Sequence, residues 1–267
     1  MLGYGPEGNG KERQAMDLQK ASVWKRISAW LFDSILLAVL AVLIAFLLSA
    51  FLGYDTQNAA LEKAYAKYET QYGVEFDISE EAYLKLTETE KANYDAAYEA
   101  LLKDEEAILA YNMVLNLTMI IASAGIFLSV AALEFVVPML FGNGQTLGRK
   151  AFGIALVKPD GVKMNTMQLF VRALLGKYTL GTMVPVLVFI MLMFNIVGLG
   201  GTLLLMGLGL AQILSMLFTR NKVGLADLMA GTVPVELNSQ RIFATTDDLI
   251  AYQKKIHAEE AARQDYK

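Results

Sequence analysis

Three segments of this chain gather apolar residues into long runs with almost no charge. Ala29 to Leu52 holds one charged residue, Asp33, and Met113 to Phe141 holds one, Glu134. Leu180 to Phe218 is 39 residues long and holds none. A bilayer core about 30 Å thick takes roughly 20 apolar helical residues, so each of the first two runs spans once. The third is long enough to span twice. Asn195-Ile-Val-Gly-Leu-Gly-Gly201, with one polar side chain and three glycines, supplies the turn between its halves.

Insertion energetics support the first span despite its acid. Ile35 to Phe51 carries twelve Leu, Ile, Val or Phe residues, each worth about −0.3 to −0.6 kcal/mol. One Asp costs about +2.5 to +3.5 kcal/mol at a helix centre. The apolar sum wins or breaks even. The run is longer than the roughly 7–15 residues of a signal-peptide core and follows a long polar arm, so it reads as a retained span. Composition agrees: 55% of the residues are hydrophobic, against about 45–50% in a soluble domain.

Lysine and arginine placement predicts orientation. Lys11, Arg13, Lys20, Lys25 and Arg26 precede the first span. Arg149, Lys150, Lys158, Lys163, Arg172 and Lys177 lie between the second and third with one acid, Asp160, and Arg220 and Lys222 follow the last. Positive residues stay inside, which requires an even number of crossings. The sequence therefore predicts an all-α integral membrane protein: a four-helix transmembrane bundle with an extracytoplasmic helical insert and an interfacial cytoplasmic segment. A cytoplasmic arm (1–28) leads to a first span (29–53), an acidic insert (54–108) and a second span (109–141). A basic loop with an interfacial helix (142–178), spans at 179–196 and 200–218, and a cytoplasmic tail (219–267) follow. The expected location is the cell membrane, multi-pass, with both termini cytoplasmic.

The insert carries fourteen acids against five lysines, a net charge of −9, and no arginine. It reads as helical. Ser79 caps a short helix through Glu80-Glu81, and Thr87-Glu-Thr-Glu90 has the capping-box pattern. Tyr94, Tyr98, Leu101 and Ile108 form an amphipathic stripe, and Asp104 is placed to cap a helix running into the second span. Its seven tyrosines (54, 65, 68, 72, 83, 94 and 98) either pack short helices together or offer a platform to a ligand or partner protein. The first reading is the simpler.

In the basic loop, Gly142-Asn-Gly144 breaks the second helix, Phe152-Gly-Ile-Ala-Leu-Val157 is strand-like, and Pro159-Asp-Gly161 signals a turn. Asn165 or Thr166 then caps an apolar stretch with Met167, Phe170, Val171, Leu174 and Leu175 on one face, the pattern of an interfacial helix. The tail after Thr246 reads as an amphipathic or solvated helix, the solvated form being preferred.

The chain has no cysteine and one histidine, His257. That removes disulfides, thiol chemistry and a zinc site, which needs several N or S ligands. The loop glycines lack phosphate-loop spacing, and the basic clusters fit the positive-inside pattern without nucleic acid. No metal, cofactor or catalytic residue is expected. What stands out is charge at the membrane: Arg26 and Asp33, seven residues apart on one face of the first span, then Glu134, Arg172 and Asp227. Intramembrane ionisable groups are costly and face a bundle interior or water, so these five are expected to form a polar cluster near the inner leaflet.

Three blocks carry a family resemblance: Arg26-Ile-Ser-Ala-Trp-Leu-Phe-Asp33, Gly144-Gln-Thr-Leu-Gly-Arg-Lys-Ala-Phe-Gly153 and Leu225-Ala-Asp-Leu-Met-Ala-Gly-Thr232. In this order they resemble the signature blocks of the RDD family, bacterial membrane proteins named for one arginine and two aspartates. The resemblance covers about residues 20–53 and 110–236. It implies that Arg26, Asp33 and Asp227 are the signature residues, with Glu134 and Arg172 where the pattern tends to carry an acid and an arginine. The second block singles out Gly144, Gln145, Thr146, Gly148 and Gly153. This chain departs from the pattern in its long first loop, and in Ala226, where histidine often precedes the aspartate.

Two functional readings follow. In the preferred one the protein is a membrane scaffold, assembly or regulatory component, with a structural salt-bridge cluster and an insert (54–108) that binds an extracytoplasmic partner. In the other it carries a small cation or solute, exchanging protons on Asp33, Glu134 and Asp227. Glycines 198, 200, 201, 207 and 209 then serve close packing within the chain or in a homo-oligomer. An enzyme is not expected. Gly224-Leu-Ala-Asp227 only loosely resembles the glycine–aspartate motif of intramembrane proteolysis.

Overall fold

A computed structural model describes residues 18–193, 198–219 and 223–264. Lys11, Arg13, Arg220, Lys222 and the first part of the anticipated turn, Asn195 to Val197, lie outside the described residues. In chain order the elements are α1 (Val23–Leu52), α2 (Tyr54–Tyr72), α3 (Glu80–Leu84), α4 (Glu88–Leu101) and α5 (Glu105–Phe141). Then come α6 (Leu147–Ala151), β1 (Ile154–Val157), α7 (Thr166–Val188) and α8 (Gly198–Phe218). The chain continues with α9 (Leu225–Ala230), β2 (Val233–Glu236) and α10 (Thr246–Gln264). Among the described residues four helices, α1, α5, α7 and α8, are long and apolar enough to cross a membrane. Exposed rows such as Val39, Val42 and Phe46 on α1 and Leu203, Leu210 and Leu217 on α8 are apolar where lipid would be the solvent.

The third of these helices draws its boundary differently from the sequence reading. An interfacial helix ending near 178 and a separate span from 179 were expected, yet α7 runs unbroken from Thr166 through both. Its stretch Val171–Met183 is wound as π-helix, with one extra residue per hydrogen-bonded turn. The hydroxyls of Thr179 and Thr182 donate to the carbonyls five residues back, Leu174 and Lys177, at 2.9 and 3.0 Å. Arg172 and Lys177 made this segment read as interfacial. They are accommodated inside the helix because both find carboxylates.

The chain divides into two compact units, residues 1–37 with 130–267, and residues 38–129. In the first, β1 pairs antiparallel with β2, Ile154 opposite Glu236 and Val157 opposite Val233. The β1 run was read correctly as strand-like; its partner β2 contains Pro234 and had no such signal. Proline has no amide to donate, and here its carbonyl accepts from the Ala21 amide at 3.2 Å on the edge away from β1. Lys25 closes the same corner by an ion pair with Glu236. Ala155, Val157, Val223, Val233 and Val235 make a small buried core. The tail helix α10 is not simply solvated at its start: Leu249 is buried with Val162 and Phe243, and Thr245 and Asp248 cap it reciprocally at 3.1 Å.

In the second unit the expected caps are all present. Ser79 accepts from the Ala82 amide, Thr87 and Glu90 form the capping box, and Asp104 accepts from the Glu106 and Ala107 amides at 3.0 and 3.3 Å. Tyr68, Leu101 and Ala107 form the buried core of the insert. Tyr65 packs on Phe76 at 5.8 Å between ring centres, Phe76 on Tyr94 at 5.7 Å and Tyr94 on Tyr83 at 5.2 Å. The tyrosines named therefore pack helices, as the simpler reading held. Below them Gly125 lets α5 approach α1: a Cβ there would stand 3.1 Å from the Ala41 carbonyl oxygen.

Candidate functional site: a buried ion-pair cluster

Four elements of the first unit bring charge to one place. The lower part of α1 carries Arg26 and Asp33, whose seven-residue spacing puts both on the wall of one cavity. A π turn in α5, Ala131–Val136, carries Glu134, and the π stretch of α7 carries Arg172. Asp227 lies in the first turn of α9. Both long helices thus leave α-geometry where they present a buried charge. The extra residue of a π turn reorients its side chains, which is why such turns gather at special sites.

Arg172 is the hub. Its side chain is 1% exposed, its Nη1 donates to Glu134 Oε2 at 3.0 Å, and its Nε donates to Asp227 Oδ1 at 2.7 Å. Lys177 Nζ reaches the other oxygen of Glu134 at 3.1 Å. One guanidinium therefore ties α5 to α7 and α7 to α9. Burying two opposite charges is at best roughly neutral against a well-packed apolar pair, but removing one partner leaves the other stranded at a cost of about 3–5 kcal/mol. Asp227 lies outside the four membrane-length helices. Burial favours its neutral form, but Arg172 and Arg149 outweigh burial and hold the carboxyl below its ordinary range.

Asp33 is held differently. Its Oδ2 accepts the Thr146 hydroxyl at 2.5 Å and its Oδ1 the Gly148 amide at 2.7 Å. The loop motif is shaped for this contact. A Cβ at Gly148 would overlap the Ala29 carbonyl oxygen and come within 2.8 Å of Asp33 Oδ1. Gly144 has φ +61°, where L side chains are strained, and a Cβ there would stand 2.5 Å from Met164 Sδ. Gln145 donates through Nε2 to the Ile154 carbonyl at 2.9 Å, fixing the loop to β1. Gly153 turns the chain into β1 with φ +66°, and its carbonyl accepts the Leu237 amide at 2.8 Å. Gly176 meets Ala226 so closely that a Cβ would sit 2.5 Å from the Ala226 Cβ, seating α9 on α7 beside Asp227.

The structure thus brings Glu134, Arg172 and Asp227 into direct contact, anchors Asp33 to Thr146 and Gly148, and sets Arg26 on the same cavity wall. Sequence reasoning missed Lys177 as a partner of Glu134, and it missed Arg149. The Arg149 Nη1 is buried with no hydrogen-bond partner. Burial, then repulsion from Arg172, push this guanidinium below its ordinary value. Its place inside the Gly144–Gly153 block was the available signal, overlooked because the positive-inside pattern already accounted for it. Among the described residues no group of three or more His, Asp or Glu is placed to hold a metal ion.

Membrane-length helices tied together by a buried Glu–Arg–Asp bridge define the class: an integral membrane protein with an internal ion-pair lock. The sequence matches the RDD family over residues 20–231, and the chain belongs to that family. No curated protein and no solved structure matches it.

Proposed function

We propose that this RDD-family protein is a non-enzymatic membrane scaffold or regulatory component, whose polar cluster locks helices together. Its termini lie in the cytoplasm, and its acidic insert faces outward to meet a protein partner. One observation carries the reading: each of the three carboxylates is already engaged, Glu134 by Arg172 and Lys177, Asp227 by Arg172, and Asp33 by Thr146 and Gly148. A carboxylate that exchanges a proton for a metal ion has to be free of fixed cationic partners, because a neighbouring guanidinium holds it ionised and repels the incoming cation. The contrary reading, cation exchange on these acids, requires Glu134 and Asp227 to leave Arg172, and Asp33 to leave Thr146 and Gly148, at every cycle. The net charge of −9 over residues 54–108 suits a basic partner surface.

Reconstitution into liposomes under a sodium, potassium or proton gradient tests this, comparing wild type with Asp33→Asn. The expected result is no flux above empty liposomes for either protein, with the variant less stable in detergent. Flux in wild type that disappears in a stable, correctly assembled Asp33→Asn protein overturns the proposal in favour of transport.

A further inference from the structure

The same unit contains a cavity of about 830 Å³ between the lower part of α1, α7, α8 and α9. It falls within the roughly 300–1,000 Å³ of small-molecule sites. Its lining combines two chemistries. It holds Arg26, Asp33, Glu134, Arg149, Arg172, Lys177 and Asp227: four cations and three anions, a surplus of one positive charge. It also holds aliphatic side chains, among them Leu37, Leu180, Leu205, Leu208 and Leu217. Arg172 and Lys177 are spent on Glu134 and Asp227. Asp33 takes its hydrogen bonds from Thr146 and Gly148. Arg149, one of the four cations, buries Nη1 with no hydrogen-bond partner.

A buried guanidinium nitrogen without an acceptor is costly, and the cavity lining holds one more cation than it holds carboxylates. An anionic acceptor from outside the chain answers both. We infer that the cavity binds an anionic amphiphile, its phosphate or carboxylate head on Arg149 and its acyl chain along the leucines. Guanidinium matches either head because both present two oxygens to its planar fork. The aliphatic lining argues against small inorganic anions as the preferred ligand, since these leave the leucines uncovered. Two sources share the chemistry, a bilayer phospholipid and a free fatty acid. The site is independent of the scaffold reading: it uses Arg149, which takes no part in the Glu134–Arg172–Asp227 lock, and it stands or falls without any partner protein.

Native mass spectrometry of the full chain in a non-ionic detergent tests it, titrating oleate, phosphatidic acid and phosphatidylcholine separately. Expected is at least tenfold tighter binding of one anionic amphiphile than of phosphatidylcholine, reduced about tenfold by Arg149→Gln and largely kept by Arg149→Lys. Preference for oleate identifies a free fatty acid, and preference for phosphatidic acid identifies a bilayer lipid. As a second variant, Leu208→Trp fills part of the cavity without removing a charge and is expected to weaken the same ligand. Equal binding of anionic and zwitterionic amphiphiles overturns the inference, as does unchanged affinity in either Arg149→Gln or Leu208→Trp.

Discussion

The acidic insert and the ion-pair cluster both depend on charged and polar side chains, but they use them at opposite ranges. In the insert capping carboxylates are held by their own helix turn, Glu90 by Thr87 and Asp104 by the Glu106 and Ala107 amides, and only Asp104 among these two adds distant partners, Lys67 and Tyr68. The pairs Lys91 with Glu88 and Lys103 with Glu99 are local and lie at the surface, where such pairs contribute about 0–1 kcal/mol. In the cluster the partners are far apart in sequence: Arg172 meets Glu134 and Asp227, and Asp33 meets Thr146 and Gly148. There Arg172, Glu134 and Asp33 are buried, and losing one partner strands the other. The same residue types thus shape local helix ends in one region and fix tertiary structure in the other.

That contrast is open to test at a position that bears no charge. Gly148→Ala adds one methyl where the Ala29 carbonyl and Asp33 already sit, and overpacking of this kind costs about 1–3 kcal/mol. A lowered thermal midpoint in detergent is expected, whereas alanine at Gly207, which has open space around it, is expected to be nearly silent. An unchanged midpoint for Gly148→Ala would mean that the loop is not seated on Asp33.

A smaller effect belongs to the insert. The Lys67 ammonium, the Tyr68 hydroxyl and the Ala107 amide hold the Asp104 carboxyl down to about 2, below an unfolded value of about 3.9. The native state therefore binds fewer protons, so this contribution is complete above pH 4 and is lost as pH falls through about 2. The group is half-buried and its Lys67 partner is exposed, so solvent screens the contact and the effect is small. Wild type is therefore expected to keep insert helicity, by circular dichroism, to slightly lower pH than its other acids alone dictate. Asp104→Asn, which keeps a capping oxygen but no charge, removes that one component. Identical acid transitions in the two proteins would show that the Lys67–Asp104 contact contributes nothing.

Legibility in the sequence follows the same division. Apolar runs long enough for a bilayer fixed α1, α5 and the 180–218 region, because span length is set by the solvent rather than by distant contacts. Ser79, Thr87 and Asp104 were readable as caps, because a cap and its amide are at most three residues apart. The blocks around Arg26, Asp33 and Asp227 were readable only as a family pattern. Nothing local indicates that Asp33 faces Thr146, or that Arg172 bridges two acids. The π stretches of α5 and α7 left no local mark either, so a buried arginine and a half-buried lysine made the start of α7 read as interfacial. β2 escaped for the same reason: Val233-Pro-Val-Glu236 becomes a strand only because β1 and residues 19–21 flank it.

The central claim is that Arg172 and Glu134 act as one unit holding α7 to α5. A double-mutant cycle in detergent measures this directly, using unfolding free energies of wild type, Arg172→Met, Glu134→Gln and the double variant. Each single substitution is expected to cost about 3–5 kcal/mol by stranding its partner. The double variant is expected to cost less than the two together, with a coupling of about 1–3 kcal/mol. Losses that simply add, or single variants as stable as wild type, would contradict the lock.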